Sequence, residues 1–198
     1  MKKSVRGLTY LQNKRMQSKN SGFTLVELLV VIAIIAILAA VVVLIINPLE
    51  LTRRGRDSAR LTDLANLQQA INVAVQESSQ SGSQILCDGA AYPCTGKSTD
   101  AAPASRASNG TGWVKTNLGA QQSVSVPTLP IDPTNTTTYH YTYCADSVGG
   151  VDAWEIDAKL ESAQQSPKMA TDGGNDNALY EVGSNLNLIA VSGGSCTF

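Results

Sequence analysis

The chain has 198 residues, 43% of them hydrophobic and 16% charged, with a formal net charge of −1 at pH 7. That length holds one modest domain plus short appendages, and so even a charge balance argues against a nucleic-acid module, which needs a basic footprint. One histidine, His140, and four cysteines outside any Cys-x2-Cys spacing argue against zinc.

Residues 1–22 carry Lys2, Lys3, Arg6, Lys14, Arg15 and Lys19 and no acid. Without those six, 9 basic residues face 16 acidic ones, a formal −7, so the rest of the chain is acidic. A basic segment ahead of an apolar one is held on the cytoplasmic side. The apolar run follows at once: from Leu28 to Ile46 no residue is polar, enough to cross a bilayer at about 1.5 Å per helical residue. Glu27 stands at its start. A carboxylate at mid-bilayer costs roughly 2.5–3.5 kcal/mol, less near an interface, so a positive charge is expected to offset it. Cleavage after Gly22 supplies one, the new amine of Phe23, four residues before Glu27. An ordinary secretory signal is cut behind its apolar run; a cut at Gly22 falls ahead of it and leaves the span in place.

Gly22, Phe23, Thr24, Leu25 and Glu27 closely resemble the class III signal of type IV prepilins and type II secretion pseudopilins. That pattern is a basic leader, Gly, Phe or Met, Thr-Leu, then Glu at the fifth mature position. The resemblance covers about the first third of the chain directly. It implies cleavage between Gly22 and Phe23 by a prepilin peptidase, N-methylation of Phe23, and a role for Glu27 in assembly and register. It further implies a single-pass protein of the cytoplasmic membrane, in contact with its lipid, with the C-terminal domain outside the cytoplasm. An inner-membrane assembly platform would build it, with copies of itself and other pilin-like subunits, into a surface or periplasmic filament. On this reading 1–22 is a leader, 23–47 a transmembrane and filament-core helix, and 48–198 an exported domain. A pilus subunit and a secretion pseudopilin share every one of these features. From a different class, a monomeric membrane-tethered binding protein predicts no cleavage at Gly22.

Asn47-Pro48 interrupts the helix, because proline lacks a backbone donor and clashes with the preceding turn. Helical periodicity resumes over 49–79, with Leu61, Leu64, Leu67, Ile71, Ala74 and Val75 on one face. Arg53, Arg54, Arg56 and Arg60 form a basic band. It suits lipid headgroups or acidic neighbours, or else a solvated face with local pairs of Glu50 with Arg54, Arg53 with Asp57 and Arg60 with Asp63. Residues 80–111, rich in Ser, Ala, Gly and Thr, read as an exposed loop.

Cys87, Cys94, Cys144 and Cys196 all lie beyond the span, where an even count reads as two disulfides with three possible connectivities. The Cys87/Cys94 spacing suits a small closed loop, which would leave Cys144 to tie a strand to the C-terminus through Cys196. Strand-like segments follow at Trp113–Leu118, Tyr139–Cys144, Ala153–Leu160, Ala178–Val182 and 186–191, with Leu129–Asn135 a turn. The expected fold is α+β: a long N-terminal helix, half transmembrane and half amphipathic, packed on a small antiparallel sheet over 112–198. The pilin resemblance implies the same architecture.

No catalytic constellation stands out, and the chain is read as a structural protein needing no cofactor. The one metal candidate is calcium at Asp172, Asn175, Asp176 and Asn177, oxygen donors in a Gly-containing segment that serves equally well as a plain turn.

Overall fold

The computed structural model describes residues 22–100, 104–119, 121–123, 126–189 and 194–198; all of the expected leader 1–22 except Gly22 lies outside them. The chain divides into two units, Met1–Ile46 and Asn47–Phe198.

In the first unit, helix α1 runs over Leu25–Ile46. Its 22 residues extend about 33 Å, a match to the hydrocarbon thickness of a bilayer. Glu27 is its one polar residue, and every described side chain on it is exposed.

In the second unit, helix α2 covers Pro48–Glu77. The expected interruption takes the form of a helix start. Asn47 adopts a left-handed φ of 40° and its side-chain oxygen accepts from Glu50 N at 3.4 Å, while Pro48 takes the first helical position, where its missing donor is harmless. The buried stripe is Asp57, Arg60, Leu64, Leu67, Ile71 and Ala74, with Ala70 beside it. This corrects the expected face at both ends: Val75 is 41% exposed and Leu61 half-buried, and the stripe continues N-terminally through two charged residues.

The short helix α3 (Gly82–Leu86) then leads to a four-stranded antiparallel meander: β1 Cys94–Lys97, β2 Tyr141–Val148, β3 Val151–Ala158 and β4 Tyr180–Gly183, in that order across the sheet. The Gly149-Gly150 turn between β2 and β3 has positive φ at both residues, 61° and 84°, which matches the twist of a two-residue hairpin. Three expectations change. The stretch expected to be a loop over 80–111 contains α3 and β1. Strand β1 has no apolar alternation, and pairing with β2 recruits it: Gly96 lies so close under the Trp113 carbonyl that any Cβ would collide with it. Trp113–Leu118 is largely buried yet forms only an isolated bridge, Asn117 to Asn109, because Trp113 N and Leu118 N donate to the carbonyls of Ser105 and Ser108 rather than to the sheet. The segment 186–191 forms a single bridge, Ile189 to Cys196, since Leu188 N and Ile189 N donate to the Glu155 carboxylate; residues 190–191 lie outside the described residues.

Away from their hairpin end, strands β2 and β3 are buried on both faces. Toward α2, Tyr141, Tyr143, Trp154, Ile156 and Val182 join Leu64, Leu67, Ile71 and Trp113 in the main core. The opposite face carries a smaller cluster of Cys144, Ala153, Leu188, Ile189 and Cys196.

Candidate functional site

The N-terminal site is built on the first turn of α1. Gly22 and Phe23 precede the helix and Phe23 is 85% exposed. Thr24 caps the helix: its carbonyl accepts from Leu28 N, and its Oγ1 accepts from Glu27 N at 3.2 Å. In return Glu27 Oε2 accepts from Thr24 N at 2.9 Å and from Thr24 Oγ1 at 2.8 Å. This is a reciprocal capping box, Thr-x-x-Glu, which satisfies two amide donors at a helix end and fixes the carboxylate against the backbone. Thr24 is therefore a capping residue, a role that matching the signal alone does not reveal. The pattern of a hydroxyl residue three before a glutamate, just ahead of an apolar run, was its signal.

The basic band separates into two kinds of arginine. Arg53 and Arg54 are exposed, and Arg54 pairs with Glu50 at 3.4 Å. Arg56 and Arg60 turn toward the domain, so neither belongs to a headgroup-facing band. Arg56 forms a bidentate pair with Glu161. Arg60 is fully buried; its Nε and Nη2 grip Asp132 at 2.6 and 2.9 Å, and its Nη1 meets Asp57 at 2.8 Å and Glu161 at 2.7 Å. Its guanidinium also lies 5.1 Å over the Tyr139 ring. Of the anticipated pairs Glu50 with Arg54 forms, whereas Arg53 with Asp57 and Arg60 with Asp63 do not, because Asp57 points inward, accepting from Glu161 N and Ser162 N, and Asp63 accepts instead from the Tyr141 hydroxyl at 2.9 Å. Burial works against ionised Asp132, but hydrogen bonds from Arg60 and Thr134 outweigh it and hold the carboxyl below its ordinary range. Asp132 also accepts from Thr134 N and Asn135 N, so one aspartate shapes its turn and anchors α2.

At the C-terminal end, Asp172 Oδ1 accepts from Gly174 N and its Oδ2 from Glu181 N, and Asp176 Oδ1 accepts from Ala178 N. Asn175 N and Asp176 N both donate to the Glu181 carboxylate. The 172–177 segment thus sits on Glu181, and Gly174 permits the approach, since a Cβ there would strike that carboxylate. Beneath lie two further acids. Glu155, Asp157 and Glu181 are all buried, and a carboxylate oxygen from each lies within 4.8 Å of the other two. Burial pushes the Glu155 carboxyl up to about 8 and raises those of Asp157 and Glu181 as well; repulsion from neighbouring acids adds to it at Glu155 and Asp157, and the charge of Asp172 does so at Glu181. Reading the sequence could not single out these acids, because they alternate with apolar residues as solvent-facing strand positions do.

Two disulfides join Cys87 to Cys94 and Cys144 to Cys196, with Cα separations of 5.8 and 6.2 Å. The second ties the C-terminus to a central strand of the sheet.

Residues 17–43 match the family model of the prokaryotic N-terminal methylation motif, the prepilin-type signal of type IV pilins and pseudopilins. No curated protein and no solved structure matches the chain.

Proposed function

We propose that the chain is a structural subunit of a type IV pilus-like filament, stored in the cytoplasmic membrane through α1 and assembled by packing of that helix. The observation that carries this reading is the methylation motif continuing into a 22-residue helix whose described side chains are all exposed and whose single polar residue is Glu27. A prepilin peptidase cuts between Gly22 and Phe23 and methylates the new amine, and the domain from Asn47 onward is exported. In the assembled core, Glu27 meets the Phe23 amine of a neighbouring subunit. An ion pair in a low-dielectric core is far stronger than in water, and it sets the axial register of one helix against the next.

The test is a pair of measurements on cells expressing the chain. Mass spectrometry of the mature N-terminus should find N-methylated Phe23, and electron microscopy should find filaments containing the protein. Glu27→Val should leave membrane insertion and cleavage intact and reduce filaments at least tenfold. Normal filaments from that variant, or a mature chain that keeps its leader, would overturn the reading. Secretion of a folded substrate that depends on the chain, without surface filaments, would assign it to a secretion pseudopilus instead.

A further inference from the structure

Asn109 and Gly110 form the single Asn-Gly step in the sequence, and the fold holds that step in one conformation. Its flanks are anchored. Leu118 N and Gly119 N donate to the Ser108 carbonyl at 2.7 and 3.0 Å, and Trp113, fully buried, donates its N to the Ser105 carbonyl at 2.9 Å. Asn109 is exposed and bridges Asn117 across an isolated antiparallel contact. Position 110 suits only glycine. Its φ is 91°, and a Cβ there would meet Asp88 Cγ at 2.7 Å and Asp88 Oδ2 at 2.9 Å. Asn109 is thus always followed by an amide nitrogen with no side chain to hinder it.

Thr111 sets the asparagine side chain. Thr111 N donates to Asn109 Oδ1 at 3.3 Å, and Thr111 Oγ1 donates to the same oxygen at 2.7 Å. A backbone N–H can only donate, so the atom it holds is the oxygen of the amide. Asn109 Nδ2 has no partner among the described residues. Two donors on one carbonyl oxygen stabilise the negative charge that develops there when its carbon is attacked, which is how an oxyanion hole acts. The attacking nitrogen belongs to the next residue, so the reaction needs no encounter between separate molecules.

We propose that Asn109 is a site of self-catalysed deamidation, with the Gly110 amide as nucleophile and Thr111 as the holder of the oxyanion. The Gly110 nitrogen gives its proton to solvent and bonds to Asn109 Cγ, and the displaced electron pair moves to Oδ1 beneath the two Thr111 donors. As the carbonyl re-forms, the Cγ–Nδ2 bond breaks, and Nδ2 takes a proton from water and leaves as ammonia. Water then opens the five-membered imide. Attack at Cγ yields aspartate at position 109; attack at the backbone carbonyl yields isoaspartate, whose main chain runs through Cγ. Both products add a negative charge to an already acidic domain. Isoaspartate also lengthens the main chain and disrupts the bridge to Asn117.

The experiment incubates the full-length chain in detergent at neutral pH and maps its peptides by mass spectrometry, with an isoaspartyl methyltransferase as the reagent for isoaspartate. Acid products should accumulate at position 109 before any other asparagine. They should form roughly threefold or more faster in the folded chain than in the same chain unfolded in urea with its disulfides reduced. Thr111→Val keeps the amide donor and lacks the hydroxyl, so it should slow the folded reaction roughly tenfold. Thr111→Ser should retain the wild-type rate, and thermal melting checks that both variants fold. A folded wild type that reacts no faster than the unfolded chain would overturn the proposal, whatever the variants do. A wild-type rate in folded Thr111→Val would overturn it too, as would Thr111→Ser slowed as much as Thr111→Val.

Discussion

Arg60 is the residue on which the most charge depends. It is buried with three carboxylates around it, and both faces of its guanidinium fork are in use. Replacing such an ion network wholesale by apolar groups can be neutral, but removing one partner leaves the others uncompensated. Arg60→Met should therefore lower the unfolding free energy by about 3–5 kcal/mol, read from urea denaturation of the chain in detergent. The network also dictates a pH response. The carboxyls of Asp132 and Glu161 are both held low: Arg60 and Thr134 overcome burial at Asp132, and Arg56 followed by Arg60 does so at Glu161. Because their folded values lie below the unfolded ones of about 3.9 and 4.3, the unfolded chain binds more protons in acid. Their stabilisation is complete above those values and is lost as the pH falls through the lower, folded ones. Denaturation midpoints measured from pH 7 to pH 2.5 should drop below about pH 4, and less steeply in Arg60→Met, where Asp132 has lost its cation.

At the scale of elements, α2 was the most legible. The spacing of Leu64, Leu67, Ile71 and Ala74 marks the buried face, and the structure departs from it only at the ends. Charged residues at buried positions defeat any hydrophobic pattern, so Asp57 and Arg60 look like surface until Asp132 and Glu161 are seen to meet them. Alternation over Tyr139–Cys144 and Ala153–Leu160 marks parts of β2 and β3, whose hairpin end at Asp146–Asp152 it misses, and the strand-like Ala178–Val182 overlaps β4. Strand β1 is unmarked, because a four-residue Cys-Thr-Gly-Lys segment owes its conformation to its neighbour. The acids of β3 and β4 were hidden for the opposite reason: their alternation was perfect, and only the covering by Leu188, Ile189 and Cys196 turns an apparent solvent face into an interior one. Glycine separates two cases within these elements. Gly55 sits in α2 with nothing within 4 Å of an added Cβ, so Gly55→Ala should stabilise the protein by about 0.5–1 kcal/mol. Gly150, at φ 84° in the hairpin turn, should behave conversely, with Gly150→Ala costing about 1–2 kcal/mol. Paired urea melts of the two variants check both signs.

On the scale of the whole molecule, two covalent ties of unequal reach hold the second unit together. They close 7 and 52 residues of chain respectively. In the chain-entropy view that difference corresponds to about 2 kcal/mol for the short loop and about 4 kcal/mol for the long one. Replacing Cys144 and Cys196 together by serine should thus lower the urea midpoint more than replacing Cys87 and Cys94.

The two outer strands of the sheet carry a last consequence. Strands β1 and β4 are four residues each, and the outward amide of Glu181 on β4 is already taken by Asp172. A sheet margin this short, with that amide occupied, is a poor template on which another chain could add a strand. Lateral amyloid-like growth is thereby discouraged, which suits the proposed filament, where copies would be crowded together and association would be left to α1. A variant such as Asp172→Ala, which frees that amide, is where unwanted sideways aggregation should first be seen.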